Sequence, residues 1–115
     1  MKTEPYAALM LRIAELEIDS TQLDAYNVLL AEEIEASVRL ERGVLFLYAV
    51  AVKHQPELIR VIEGYADEAA YAHHINTPHF LKYKSETAAM VKALRLIDTT
   101  PIELKSKPNI FSVDP

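Results

Sequence analysis

Between Ala8 and Ile18 apolar residues are interleaved with Arg12, Glu15 and Glu17, the pattern of a strand exposed on part of one face. Asp19, Ser20 and Thr21 then offer side chains that cap helix N-termini, and Gln22 stands where a capping-box partner of Asp19 belongs. Leu23, Tyr26, Leu30, Ile34 and Val38 follow at three- and four-residue steps between polar positions, which predicts a long amphipathic helix. Gly43, just after Glu41 and Arg42, is the expected stop, because glycine readily takes the positive φ that closes a last turn. The acidic stretch Glu32, Glu33, Glu35 reads as the solvated face of this helix.

Val44 to Val52 is nearly unbroken apolar sequence, rich in β-branched and aromatic residues, and predicts a central strand buried on both faces. Lys53, His54, Gln55 and Pro56 make a polar turn, and Leu58 to Tyr65 forms the other arm of a hairpin. Asp67 caps a short helix reaching His74, and Thr77 with Pro78 starts another that is expected to carry Phe80, Tyr83, Met90, Val91, Leu94 and Ile97. Pro101 to Leu104 supplies the expected fourth strand. The order strand, helix, strand, strand, helix, strand is the split βαβ of a ferredoxin-like α+β fold, one antiparallel sheet with its helices on one face. Helices on one face cannot cover a strand that is apolar on both, so the other face is expected to meet a second copy, sheet against sheet, in a homodimer. The tail, residues 105–115, carries Ile110, Phe111 and Val113, costly to leave in water, and is expected to cross to that partner.

A length of 115 residues suits one domain, with its core at 8–104. Half the chain is hydrophobic, a quarter is charged and two residues are glycine, which excludes disordered and low-complexity classes. No apolar run approaches the roughly 18 to 20 residues that cross a bilayer, and Met-Lys-Thr-Glu-Pro lacks the pattern of a signal peptide, so a cytoplasmic protein without a membrane partner is expected. The absence of cysteine excludes disulfides, thiolate metal sites and a cysteine nucleophile. A net charge of -5 with scattered lysines and arginines gives no footprint for nucleic acid.

Glu41-Arg42-Gly43, Pro56, the run Ile62-Glu63-Gly64-Tyr65-Ala66-Asp67-Glu68-Ala69-Ala70, and then His74-Ile75-Asn76-Thr77-Pro78-His79-Phe80 follow in an order and spacing that resembles an antibiotic biosynthesis monooxygenase (ABM) domain, over nearly all of residues 8–104. The resemblance implies a dimeric ferredoxin-like α+β barrel with a small-molecule pocket between the sheet and helices of each subunit. It implies one of several activities: cofactor-free oxygenation of quinols and polyketide phenols, haem degradation, or isomerisation of a phosphorylated autoinducer sugar. By position, Glu63, Tyr65 and His74 match residues that line the pocket in family members. Haem degradation is disfavoured, because the tryptophan of those members is missing and Leu9 to Leu11 stands where their asparagine falls. In place of the isomerases' histidine on the first long helix stands Ile34-Glu35-Ala36-Ser37, where Glu35 could substitute.

The residues add their own reasons. Glu63 and Tyr65, two apart on a strand, share one face and can enter one cavity. His74, with an ordinary pKa of about 6.5, is a candidate general base for a phenolic or α-carbonyl proton. The plainer alternatives are a strand-edge Glu63 paired with Arg60 and a capping or solvent-facing His74. Tyr48, Tyr71, His79, Phe80 and Tyr83 are the candidate substrate-binding residues, although such aromatic spacings equally suit core packing and His79 equally suits support of a helix start. His73, His74 and His79 do not make a metal site, since the break at Thr77-Pro78 separates His79 from the pair. The expectation is a cofactor-independent monooxygenase using dioxygen and a quinol-like or enolisable substrate, with no metal. An isomerase of a small phosphorylated carbonyl compound and a non-catalytic ligand-binding domain remain the alternatives.

Overall fold

The computed structural model of the chain describes residues 6–111. Its strands are β1 (Met10–Ile18), β2 (Val44–Val52), β3 (Gln55–Tyr65) and β4 (Val91–Asp98), and its helices are α1 (Leu23–Leu40), α2 (Glu68–His74) and α3 (Pro78–Thr87). The strands form one antiparallel sheet in the order β2-β3-β1-β4, with β3 inserted between the two strands that α1 connects. This is the ferredoxin-like α+β arrangement that the order of elements predicts. Among the described residues no helix is long and apolar enough to cross a membrane.

The helices start where their sequence signals stand. Asp67 Oδ1 accepts from the Ala70 amide to open α2, while Thr77 Oγ1 accepts from the Phe80 amide with Pro78 at the first helical position of α3. Asp19 caps a single 3-10 turn, Ser20–Gln22, that runs into α1; its own amide donates to Met90 O at 2.8 Å, so the capping-box bond expected from Gln22 has no donor left to satisfy. Along α1, Tyr26 and Leu30 pack on Ala14, Leu16 and Ile18 of β1 and on Ile59 and Val61 of β3, forming the larger part of the core. A smaller cluster of Val44, Leu47 and Tyr65 packs against Ile34 and α2.

Several expectations are corrected. β2 is an edge strand: Val44 and Leu47 are buried beneath the helices, but Val50 is 52% exposed, and its apolar run reflects two partly covered faces rather than a central place. The fourth strand is Val91–Asp98, not 101–104, and α3 ends at Thr87. Val91, Leu94 and Ile97 are spaced as on a helix, yet pairing from Ile18↔Val91 to Arg12↔Asp98, with one bulge between Glu17 and Ile18, gives their backbone a ladder with β1 that a helix extension would forfeit. Pro101–Leu104 is irregular, and Ile102 lies open to water. Val38 points outward, because the buried stripe of α1 runs Tyr26, Leu30, Glu33, Ser37.

No glycine has positive φ; the left-handed residue of the β2–β3 turn is His54. Gly43 matters instead for its missing side chain, since a Cβ there would fall 2.5 Å from that of Ala70 and push α2 off the turn. The tail makes an aromatic contact within its own chain, Phe111 edge-on to Tyr48, and Phe111 remains 79% exposed. Val113, expected to share that role, lies outside the described residues.

Candidate active site

Between the sheet and the helices lies a cavity of about 150 Å³. Ala14, Leu16, Leu30, Leu47, Val61 and Phe80 give it apolar walls, and Arg12, Glu33, Glu63, Tyr65 and His74 bring polar groups to it. Leu94 and Leu96 of β4 line the same space yet are about half exposed, so the cavity opens beside the β4 edge, where no helix covers the sheet.

The alternation of β3 puts Val61, Glu63 and Tyr65 on the helix-facing side, as the two-residue spacing requires. The Tyr65 hydroxyl donates to Glu63 Oε1 at 2.5 Å. Burial pushes the Glu63 carboxyl above the usual carboxylate range, partly offset by the Tyr65 hydrogen bond and by the nearby His74 and Arg12 charges. Burial, reinforced by the Glu63 charge, pushes the Tyr65 phenol far above its ordinary value, so it stays a donor. The plainer reading of Glu63 does not hold: Arg60 pairs with Glu15 instead.

His74 ends α2, almost wholly buried, with Tyr65 and Phe80 against its ring. Its Nδ1 lies 2.9 Å from Glu41 Oε2 and its Nε2 3.3 Å from Glu33 Oε1. Ser37 Oγ donates to the same Glu33 oxygen at 3.0 Å. His79 Nε2 lies 2.6 Å from Glu41 Oε2, so one carboxylate oxygen serves both imidazoles. Burial raises the Glu41 pKa, but the hydrogen bonds from His79 and His74 outweigh it and hold the carboxyl below its ordinary value. Burial likewise lowers the His74 pKa, and hydrogen bonds to Glu33 and Glu41 outweigh that and raise it. The product is a chain of alternating carboxylates and imidazoles, in which Glu33, His74 and Glu41 are buried and His79 is half-buried.

Donor atoms of Glu41, His74 and His79 lie within 4.8 Å of one another, the grouping among the described residues that could hold a metal ion. The break at Thr77-Pro78, expected to keep His79 away from His74, is the turn that folds α3 back and brings both rings to Glu41. Ligands around a shared zinc, each about 2.0 to 2.2 Å from it, sit roughly 3 Å or more apart. The 2.6 and 2.9 Å separations here are those of direct charge-assisted hydrogen bonds.

Of the candidate substrate contacts, Tyr71, Phe80 and Tyr83 line the cavity and Tyr48 and His79 do not. Tyr48 pairs with Ile62 on the far side of the sheet and stacks on Phe46. His73 is exposed. Glu35, offered as a substitute for a helix-borne histidine, is exposed and tied to Arg39 one turn on, so it faces away from the site. The inward acid is Glu33, hidden in a stretch that reads as a solvated face. Its signal was positional: Glu33 and Ser37 continue the three- and four-residue steps of Tyr26 and Leu30, and an acid on that stripe must find a partner inside.

The antibiotic biosynthesis monooxygenase family matches residues 10–86, and the chain belongs to it. A solved structure named "putative antibiotic biosynthesis monooxygenase" from Bacteroides thetaiotaomicron is 53% identical, with 88% of this chain and 98% of that chain covered and a TM-score of 0.86. A structure named "putative monooxygenase" from Lactobacillus acidophilus is 26% identical at TM-score 0.76, covering 77% of this chain and 42% of that one. A structure from Nitrosomonas europaea, 16% identical with 89% and 96% of the two chains covered, shares the fold at TM-score 0.79. No curated protein matches the chain.

Proposed function

We propose that the protein is a cofactor-independent monooxygenase that oxidises a small, single-ring quinol or similarly acidic aromatic compound with dioxygen. The observation that carries this reading is the hydrogen-bonded Glu63–Tyr65 pair, with His74 against the Tyr65 ring, on the wall of an apolar cavity of about 150 Å³. An apolar space of that size accepts about one benzene-sized ring, and the aromatic edges of Tyr71, Phe80 and Tyr83 suit a planar guest.

Glu63, with its carboxyl made more basic by burial, takes the substrate's hydroxyl proton. Tyr65 orients that carboxylate through its hydroxyl. His74 has both ring nitrogens beside carboxylates, so it acts as a cation that stabilises the substrate anion rather than as the base its bare imidazole suggested. The anion reduces dioxygen directly: one oxygen atom enters the ring, the other leaves as water, and the substrate supplies all four electrons in becoming a hydroxyquinone. Proton loss and return are the protein's share of this chemistry.

Oxygen uptake by purified, flavin-free and metal-free protein over a panel of substituted quinols tests the proposal. Turnover that Glu63→Gln reduces by about a hundredfold or more is the expected result. Turnover that appears only with added flavin sinks it. Deuterium incorporation into an enolisable phosphorylated compound without oxygen would instead point to an isomerase.

A further inference from the structure

Three rows of side chains cross the sheet on its helix-facing side. The register sets Glu63, Arg12 and Asp98 abreast on β3, β1 and β4; Val61, Ala14 and Leu96 form the next row, and Ile59, Leu16 and Leu94 the one after. Ala14 and Leu16 are each 5% exposed, whereas their β4 neighbours Leu96 and Leu94 are 48% and 45% exposed although both line the cavity. They stay open with the tail in place, because Phe111 lies on the opposite face against Tyr48. Ala14 keeps the floor low at the middle of its row, and neighbouring strands stand about 4.8 Å apart, so a ring with its hydroxyl at Glu63 lies over β1 and points its far side at β4. The cavity holds about one ring. A substituent on that far side must therefore leave the cavity across Leu94 and Leu96.

We propose that the substrate carries a short alkyl chain on the part of its ring remote from Glu63, and that Leu94 and Leu96 are the residues that bind this chain. Two residues apart on one strand, they offer an apolar strip roughly 7 Å long, about the length of a five- or six-carbon chain. The inference rests on the function proposed above for the ring and its hydroxyl, and it narrows the substrate to an alkylated quinol. Two other occupants compete for the same place. A second copy of the chain could cover the two leucines, and Lys84, exposed on α3 at the same opening, could draw an anionic substituent instead.

The test reads affinity without turnover. Binding of 3-alkylphenols, from methyl to octyl, is measured by calorimetry on the full chain; these probes keep the ring and one hydroxyl but lack the second hydroxyl that makes a quinol easy to oxidise. Kd should fall roughly threefold for each added methylene and level off near six carbons. In Leu94→Thr and Leu96→Thr, which keep a β-branched strand former at the sheet edge, the gain should drop to about twofold or less per methylene. The gain is compared within each chain, so a change in affinity for the bare ring does not enter. Affinity that ignores chain length in the native chain overturns the proposal, and so does a steep series that both variants leave unchanged. A carboxylate at the end of the chain that tightens binding by about tenfold or more assigns the opening to Lys84 and overturns the apolar chain. A native dimer that either variant splits, by light scattering, gives the leucines to a second copy and overturns it too. Failure of every phenol to bind overturns both this proposal and the function it rests on. Oxygen uptake is measured apart: the expected affinity series beside absent turnover of alkylated quinols faults the oxygenase reading and leaves the alkyl site standing.

Discussion

Tyr65 donates its hydroxyl proton to Glu63 over 2.5 Å from two positions along the same strand, and this bond counters part of what burial does to the carboxyl. Removing the donor while keeping the ring should therefore raise the Glu63 pKa further. In Tyr65→Phe, the acid limb of the pH profile for quinol turnover is expected to move to higher pH. The fold should lose about 1 to 2 kcal/mol, as for one buried hydrogen bond. A pH profile of kcat/KM and a urea melt check the two parts, and an unmoved acid limb would show that Glu63 is not the titrating base.

Stability should carry the same signature. The Glu63 pKa is higher folded than unfolded, so its contribution favours the folded state below the unfolded pKa and is lost as pH rises through the folded value. Glu63→Gln cannot ionise and escapes that loss. The variant should thus gain stability relative to the native chain as pH rises from the acid range toward neutrality. Paired thermal melts across that range read the difference, and a gap that stays constant with pH contradicts the assignment.

Gly64 is a packing glycine, and its substitution should be felt across the sheet. A Cβ at this position would lie 2.2 Å from the Phe46 ring, well inside contact distance. Gly64→Ala is expected to cost about 1 to 3 kcal/mol, as overpacking does. Phe46→Ala in the same chain should recover part of that, because it removes the ring that the new methyl strikes. A double-mutant cycle measures the coupling, and additive losses would place the strain elsewhere.

What was legible in the sequence was what local chemistry determines. The caps at Asp67 and Thr77, the hairpin, and the shared face of Glu63 and Tyr65 all follow from residues within a few positions of one another. What was not legible depends on long-range pairing. The β4 strand is defined by its ladder to β1, and the edge position of β2 by the insertion of β3, neither of which a run of apolar residues records. Glu33 looked like solvated charge because its neighbours Glu32 and Glu35 are; only its place on the buried stripe of α1, opposite a histidine some forty residues later, sets it apart. Tyr48 was drawn to the substrate by residue type alone, and strand alternation places it on the opposite side of the sheet.

That opposite side leads to the last prediction. Leu11, Ile13, Phe46, Tyr48 and Ile62 are only partly buried on a face that carries no helix, and Phe111 lies against Tyr48 with most of its ring in water. A monomer that leaves this much apolar surface open forgoes about 25 cal/mol for each Å² it could bury. The chain is therefore expected to form a homodimer through its sheet faces, with the end of the tail, Ile110 and Phe111 included, caught at the seam. Truncation after Leu104 should loosen the dimer and lower its melting temperature by several degrees, an effect of about 1 to 2 kcal/mol for the loss of one buried aromatic anchor. Phe111→Ala should reproduce a large part of that change with the rest of the tail present. Light scattering and thermal melts over a range of protein concentrations make the comparison. A truncated chain that stays as dimeric and as stable as the full one rules the tail out of the interface, and a full chain that is monomeric at every concentration removes the dimer itself.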